Sequence, residues 1–171
     1  MKVPAVGGPA ANKRVEGQLT PMTMPAEHGS VFAEYAPATE ADVTNAIETA
    51  LSSRQQWRDM PMTDRAAIFL RAAELVSDKY RFELMAATML GQGKNAWQAE
   101  IDAAAELADF FRYNAGFAQE IYDKQPTINS PGNHGRVDWR PLEGFVYSVS
   151  PFNFTAVRNI EAYQTNHANP Y

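Results

Sequence analysis

Cysteine is absent from all 171 residues, which excludes disulfides, thiolate metal sites and any thiol nucleophile supplied by this chain. Histidine is scarce: His28, His134 and His167 lie far apart in polar or Gly/Pro/Asn-rich surroundings, without metal-ligand spacing, so no metal site is expected. Positive charge is in deficit, with 15 Lys and Arg against 20 Asp and Glu and a net charge of -5. No basic cluster offsets that balance, so nucleic acid is not an expected partner. No apolar run approaches the ~20 residues that span a bilayer. The opening MKVPAVGGPAANKR lacks the apolar centre of a secretory signal, and Lys2, Lys13 and Arg14 alone make a poor presequence. A soluble, intracellular chain without membrane contact is expected.

What is present is an ordinary globular composition, 45% hydrophobic and 20% charged, enough for one modest core. Residues 1–30 carry Pro4, Pro9, Pro21 and Pro25 among scattered glycines and should form short extended pieces at most. From Thr39 the pattern changes. Thr39 and Asp42 resemble a capping box, and Val43, Ile47, Ala50 and Leu51 follow at helical spacing toward Trp57. Pro61 and Thr63 open a second helix, striped by Ile68, Ala72, Leu75 and Val76 and ending near Asp78 or Lys79. A third runs from Phe82 to Leu90 and stops at Gly91. The longest runs from Asn95 to about Tyr122, with Trp97, Ile101, Ala105, Ala108, Phe110 and Phe111 on nearby turns. Its alanines at 103 to 105 would let another backbone approach closely.

Pro126, Pro131, Gly132 and Gly135 then break the chain into a loop over 124–135. Beyond it, Arg136–Arg140 and Gly144–Ser150 are rich in β-branched and aromatic residues, with Pro141 and Gly144 between them, and read as two short paired strands. No repeat or low-complexity tract appears. The expected fragment is mainly α-helical, four helical segments followed by a C-terminal β-strand pair that delivers Ser150-Pro151-Phe152-Asn153-Phe154.

Two stretches carry a family likeness. One is Gly91-Gln92-Gly93-Lys94 running into QAEIDAAAELADFFRYNA (Gln98 to Ala115), and the other is LEGFVYSVSPFNFTA (Leu142 to Ala156). Together they resemble the pyrroline-5-carboxylate (glutamate γ-semialdehyde) branch of the aldehyde dehydrogenases; the Pro-x-Asn-Phe core is common to the superfamily, and its combination with GQGK and EIDAAAE points to the branch. The resemblance runs loosely from Val31 through Ala156. It implies an α/β family fold, present here as an incomplete aldehyde dehydrogenase fold. The implied division is an N-terminal extended segment at 1–38, a helical part of the cofactor-binding domain at 39–135, the strand pair with SPFNF at 136–157, and a tail at 158–171 foreign to the family.

The activity implied is NAD-dependent oxidation of glutamate γ-semialdehyde to glutamate in proline catabolism. In such enzymes a cysteine thiolate attacks the aldehyde, NAD accepts hydride and a glutamate activates water, the covalent step dividing one hard reaction into easier ones. Without a cysteine this chain is expected to be inactive alone, contributing one wall of the site. The resemblance makes Asn153 the oxyanion donor, a role whose loss typically costs ~10²–10³ in turnover; by its residue type it could equally cap a following helix. Ser150 matches a substrate-contacting position, or is a strand-end serine. Glu106 matches a carboxylate near the substrate entrance, or is a solvated helix residue beside Glu100 and Asp102. Pro151, Phe152 and Phe154 would shape the backbone and its packing near the cofactor. Gly91, Gly93 and Lys94 lack the spacing of a nucleotide loop and read as a helix stop and turn. The intact family is homo-oligomeric and acts on a small molecule, in the mitochondrial matrix in eukaryotes and in the cytoplasm in bacteria. The alternative expectations are a non-catalytic product that associates with a full-length subunit through faces left uncovered, or a fragment of another aldehyde dehydrogenase branch.

Overall fold

The computed structural model describes residues 2–3 and 19–156. Residues 158–171, expected to stand outside the family, lie beyond them. The chain opens with a sheet of order β1-β3-β2, in which β1 (Lys2–Val3) is parallel to β3 (Glu27–Tyr35) and β2 (Thr20–Met24) is antiparallel to it. Thr20 faces Tyr35 and Met22 faces Ala33, with register irregularities between Met22 and Met24. This hairpin corrects the expectation of short extended pieces before residue 30. Pro21 does not prevent it because β2 is an edge strand, where a residue without an N–H is tolerated.

Four helical segments come after the sheet, as the periodicity implies. Helix α1 (Glu40–Asp59) begins with a full capping box: the Thr39 side chain accepts from the Asp42 N–H at 3.2 Å, and the Asp42 carboxylate accepts from the Thr39 N–H at 2.8 Å. Helices α2 (Met62–Ser77) and α3 (Arg81–Gln92) come next. The last helical run is not uniform. Helix α4 (Ala96–Ala99), capped reciprocally by Asn95 and Gln98, widens into a π turn (Glu100–Ala105) and continues as α5 (Glu106–Asp123).

That run packs on two neighbours in succession. Its first part and the π turn lie on α3, where Ala99, Ala103 and Ala104 are fully buried and their small size permits close backbone approach; Ala105 is exposed. Its second part packs on α2, placing Leu107, Ala108 and Phe111 against Ala73 in the core, with Phe69, Val76, Leu84, Phe154 and Ala156 around them. Burying a side chain such as Leu107 contributes roughly 1.5–3 kcal/mol. The rings of Phe69 and Phe111 sit 6.0 Å apart, and Trp57 meets Phe69 edge-on at 6.3 Å.

The loop over 124–135 is present, closed by Asn129 Oδ1 accepting from the Gly135 N–H at 2.6 Å. The strand pair expected after it is not formed: residues 136–150 make no ladder among the described residues and bend at Gly144, whose φ is 80°. The antiparallel element therefore lies at the N-terminal side of a mainly helical chain rather than at its C-terminal side. Pro141 and Gly144 do not close a tight turn here; instead Glu143, between them, is held by Arg140 at 3.3 Å and by Arg54 of α1 at 2.7 Å. The β-favouring residues keep their alternation all the same, with Val146 and Ser148 half-buried while Phe145, Tyr147 and Val149 face outward.

Candidate functional site

The segment Ser150–Ala156 lies against the C-terminal half of α3, tied there by Thr88 and Gln92 of that helix and by Lys94 just beyond it. Thr88, fully buried on α3, donates its hydroxyl to its own helix at Leu84 O (2.9 Å) and stands 2.8 Å from the Thr155 hydroxyl. Gln92, the last residue of α3, donates to Phe152 O at 3.3 Å; with its amide turned over it donates to Asn153 O and accepts from the Thr155 N–H, both at 3.3 Å. Lys94 makes the closest contacts. Its ammonium donates to Asn153 O at 2.6 Å and to Asp102 Oδ2 at 2.5 Å, and lies 4.7 Å from the centre of the Phe154 ring. The Lys94 and Asp102 side chains are 18% and 26% exposed, so this pair is shielded from solvent far more than an ordinary surface ion pair.

Local sequence explains how Lys94 reaches this point. Helix α3 ends on Gly93, whose φ of 66° is left-handed and whose N–H returns to Met89 O at 3.0 Å. Lys94 is the next residue, ahead of the Asn95 cap of α4, so the turn carries it off the α3 axis toward the π turn. Gly91, expected to stop the helix, lies inside it; a Cβ there would sit 2.9 Å from the Phe32 ring of β3. The helix stop is Gly93. The π turn supplies both acidic partners, for Glu100 binds Arg81 at the start of α3 through two hydrogen bonds, one of them Arg81 Nε to Oε2 at 3.1 Å. Glu100 and Asp102 thus grip the two ends of one helix.

Each residue singled out in the sequence has a definite place. Asn153 is exposed on a turn; its backbone carbonyl is engaged, while its side-chain amide makes no hydrogen bond among the described residues. Phe154 is half-buried on the core and beneath Lys94, whereas Phe152 is 96% exposed. Pro151 is half-buried and Ser150 exposed at the end of the stretch over 136–150. Glu106 opens α5 directly after the π turn and is half-buried. The carboxyl of Glu143, upstream of the site, is held below the ordinary carboxylate range by the Arg140 hydrogen bond and then by the charge of Arg54.

The profile of the family described as the aldehyde dehydrogenase family matches residues 13–163. The chain belongs to the aldehyde dehydrogenase family. It is 59% identical over 133 residues to the mitochondrial delta-1-pyrroline-5-carboxylate dehydrogenase of Emericella nidulans, covering 78% of this chain and 23% of that protein. It is 51% identical over 143 residues to the mitochondrial enzyme of the same name from Rattus norvegicus, covering 84% and 24%. The crystal structure of the Delta-pyrroline-5-carboxylate dehydrogenase from Mycobacterium tuberculosis superposes with a TM-score of 0.83 at 43% identity, over 91% of this chain and 29% of that one. The same enzyme has been solved bound with NAD. The chain spans about a quarter of the length of the curated relatives it matches.

Gly91-Gln92-Gly93-Lys94 does not give this aldehyde dehydrogenase chain a phosphate cradle. Gly91-Gln92-Gly93-Lys94 lies at the C-terminal end of α3, where unsatisfied carbonyls carry partial negative charge, the wrong sign for a pyrophosphate. Lys94 is already committed to Asp102 and Asn153. What this aldehyde dehydrogenase segment offers is a neutral amide presented from a fixed turn, a group suited to steadying negative charge on an oxygen without pairing with it beforehand. Lys94 and Asp102 were not legible as part of the site. Lys94 is 59 residues from Asn153, and nothing local in GQGKNAW announces so distant a partner.

Proposed function

We propose that this chain supplies one wall of the aldehyde site of an NAD-dependent dehydrogenase that oxidises L-glutamate γ-semialdehyde (pyrroline-5-carboxylate) to L-glutamate, and that it does not turn over by itself. Support comes from relatives 46–59% identical that bear the pyrroline-5-carboxylate dehydrogenase name. The observation that carries the reading is the Asn153 turn: backbone pinned, side-chain amide outward and without a hydrogen-bond partner among the described residues. In this role the amide N–H of Asn153 donates to the oxygen of the aldehyde as a thiolate adds to it. Ser150, three residues earlier, offers a hydroxyl to a polar substrate group, and Glu106 a carboxylate near the entrance. Pro151, Phe152 and Phe154 shape the wall facing the cofactor. NAD, when bound by the assembled enzyme, takes up the hydride. The thiolate cannot come from this chain, which has no cysteine.

Under this reading the assembled enzyme is a homo-oligomer. It works in the mitochondrial matrix in a eukaryote, in keeping with relatives named mitochondrial, and in the cytoplasm in a bacterium. Two measurements test it. The pure chain mixed with NAD and pyrroline-5-carboxylate yields no NADH; production that co-elutes with the chain on a sizing column overturns the claim of inactivity. The Emericella nidulans relative, with its matching stretch replaced by residues 19–156 of this chain, oxidises pyrroline-5-carboxylate, and Asn153→Ala lowers its kcat by ~10²–10³. An unchanged kcat removes Asn153 from the chemistry.

A further inference from the structure

We propose that Lys94, oriented by Asp102 of the π turn, is the positioning residue for Asn153: it fixes the peptide plane from which the oxyanion donor projects. The inference rests on the role just given to Asn153. An oxyanion donor is effective only within a narrow geometry, and a displacement of about 1 Å costs up to a hundredfold in rate. Yet Asn153 sits on an exposed turn with no strand ladder among the described residues to hold it. Four tethers secure that turn. Thr88 holds the Thr155 side chain and packing holds the Phe154 ring, both downstream of Asn153, while Gln92 reaches it from the end of α3 through a carboxamide that fits in two orientations. Lys94 grips the carbonyl of Asn153 itself, with a charge-assisted bond of 2.6 Å.

A lone ammonium would be a poor fixture, since it is a compact charge on a flexible stem. Here three contacts remove that freedom: the Asp102 carboxylate at 2.5 Å, the Asn153 carbonyl, and the Phe154 ring beneath it at 4.7 Å. Asp102 in turn belongs to the widened turn of a helix whose Ala99, Ala103 and Ala104 are buried against α3. The chain of support therefore runs from the α3 contact through Asp102 and Lys94 to the Asn153–Phe154 peptide. Lys94 touches no reacting atom in this scheme; it acts through Asn153.

The first test uses the full chain. The backbone order parameter of the Phe154 N–H, which shares its peptide with the Asn153 carbonyl, falls in Lys94→Met from about 0.85 toward 0.6. It holds in Thr88→Val, which cuts a different tether of the same segment. Asp102→Asn, a milder change that leaves the lysine in place, lowers it in the same direction. Equal order in wild type and both clamp variants overturns the proposal. The second test uses the active Emericella hybrid. Lys94→Met lowers kcat roughly ten- to a hundredfold, with a smaller change in KM for NAD. In the Asn153→Ala background the same substitution lowers kcat little further, because the group it positions is gone. Full additivity of the two substitutions makes Lys94 merely structural and overturns the inference. A kcat indifferent to Asn153→Ala alone sinks the functional reading instead, and the two failures are thereby distinguished.

Discussion

Gly93 leaves α3 with a φ of 66°, a conformation that costs an L side chain about 1 kcal/mol. Gly93→Ala should lower the stability of the chain by about that amount in urea unfolding followed by circular dichroism. Gly91, two residues earlier, is constrained by space and not by dihedral angle. As a helical residue it forgoes about 1 kcal/mol relative to alanine, but a methyl group there meets the Phe32 ring at 2.9 Å. Gly91→Ala should therefore be more favourable in a Phe32→Leu background than in the wild type, and equal effects in the two backgrounds would rule out that contact. The same two glycines show the limit of reading residues in order. Their type announces a break near 91–94, but that Gly91 meets a β3 side chain far away in sequence while Gly93 ends the helix shows only in the fold. Asn153 stands out through its motif, whereas the lysine that holds it does so only once the chain is folded.

At the scale of elements, α1 is the one whose beginning is most fully written in local sequence. The Thr39 hydroxyl and the Asp42 carboxylate satisfy each other's backbone N–H groups, and Thr39→Ala should cost about 1 kcal/mol in urea unfolding. Asp42 is held below its ordinary value of 3.8, first by the Thr39 N–H and then by the Thr39 hydroxyl. A carboxylate depressed in the folded state contributes stability that is complete above its unfolded value and is lost as the pH falls through the folded one. Acid should therefore weaken α1 below about pH 4, and Asp42→Asn should remove that part of the pH dependence in a stability profile between pH 2 and 6. Helices were legible throughout because capping and apolar spacing are short-range signals. The strands were not. Pro21 and Pro25 hide a hairpin whose edge position tolerates proline, and the β-rich residues of 136–150 have no ladder partner among those described. Alternation prescribes an extended backbone, but pairing is a property of the neighbour.

Across the whole molecule, much apolar surface faces outward. Phe152 is 96% exposed, Ile128 88%, Tyr147 81%, Trp97 76% and Val149 72%, and three of these lie in the stretch leading into the Asn153 turn. Surface of this kind is associated with docking or aggregation. The isolated chain should bind an environment-sensitive apolar dye and self-associate as its concentration rises, measured by fluorescence and light scattering; a clean monomer with a sharp cooperative melt would count against this. The fold class was legible from helix count and motif, and the superposition on a solved relative at a TM-score of 0.83 agrees with it.

The widened turn at Glu100–Ala105 has a bearing on how this chain tolerates change in length. Where the helix passes from α3 to α2, a π turn absorbs a surplus residue without shifting the phase of the turns beyond it. It behaves like a shim between two rods, so the rod bearing Asp102 and the rod bearing Leu107 and Phe111 need not share one continuous winding. One residue lost within that shim leaves both rods facing their own neighbours. The same loss one turn later, with no slack to take it up, swings the rest of the helix by about 100° and turns Phe111 out of the core.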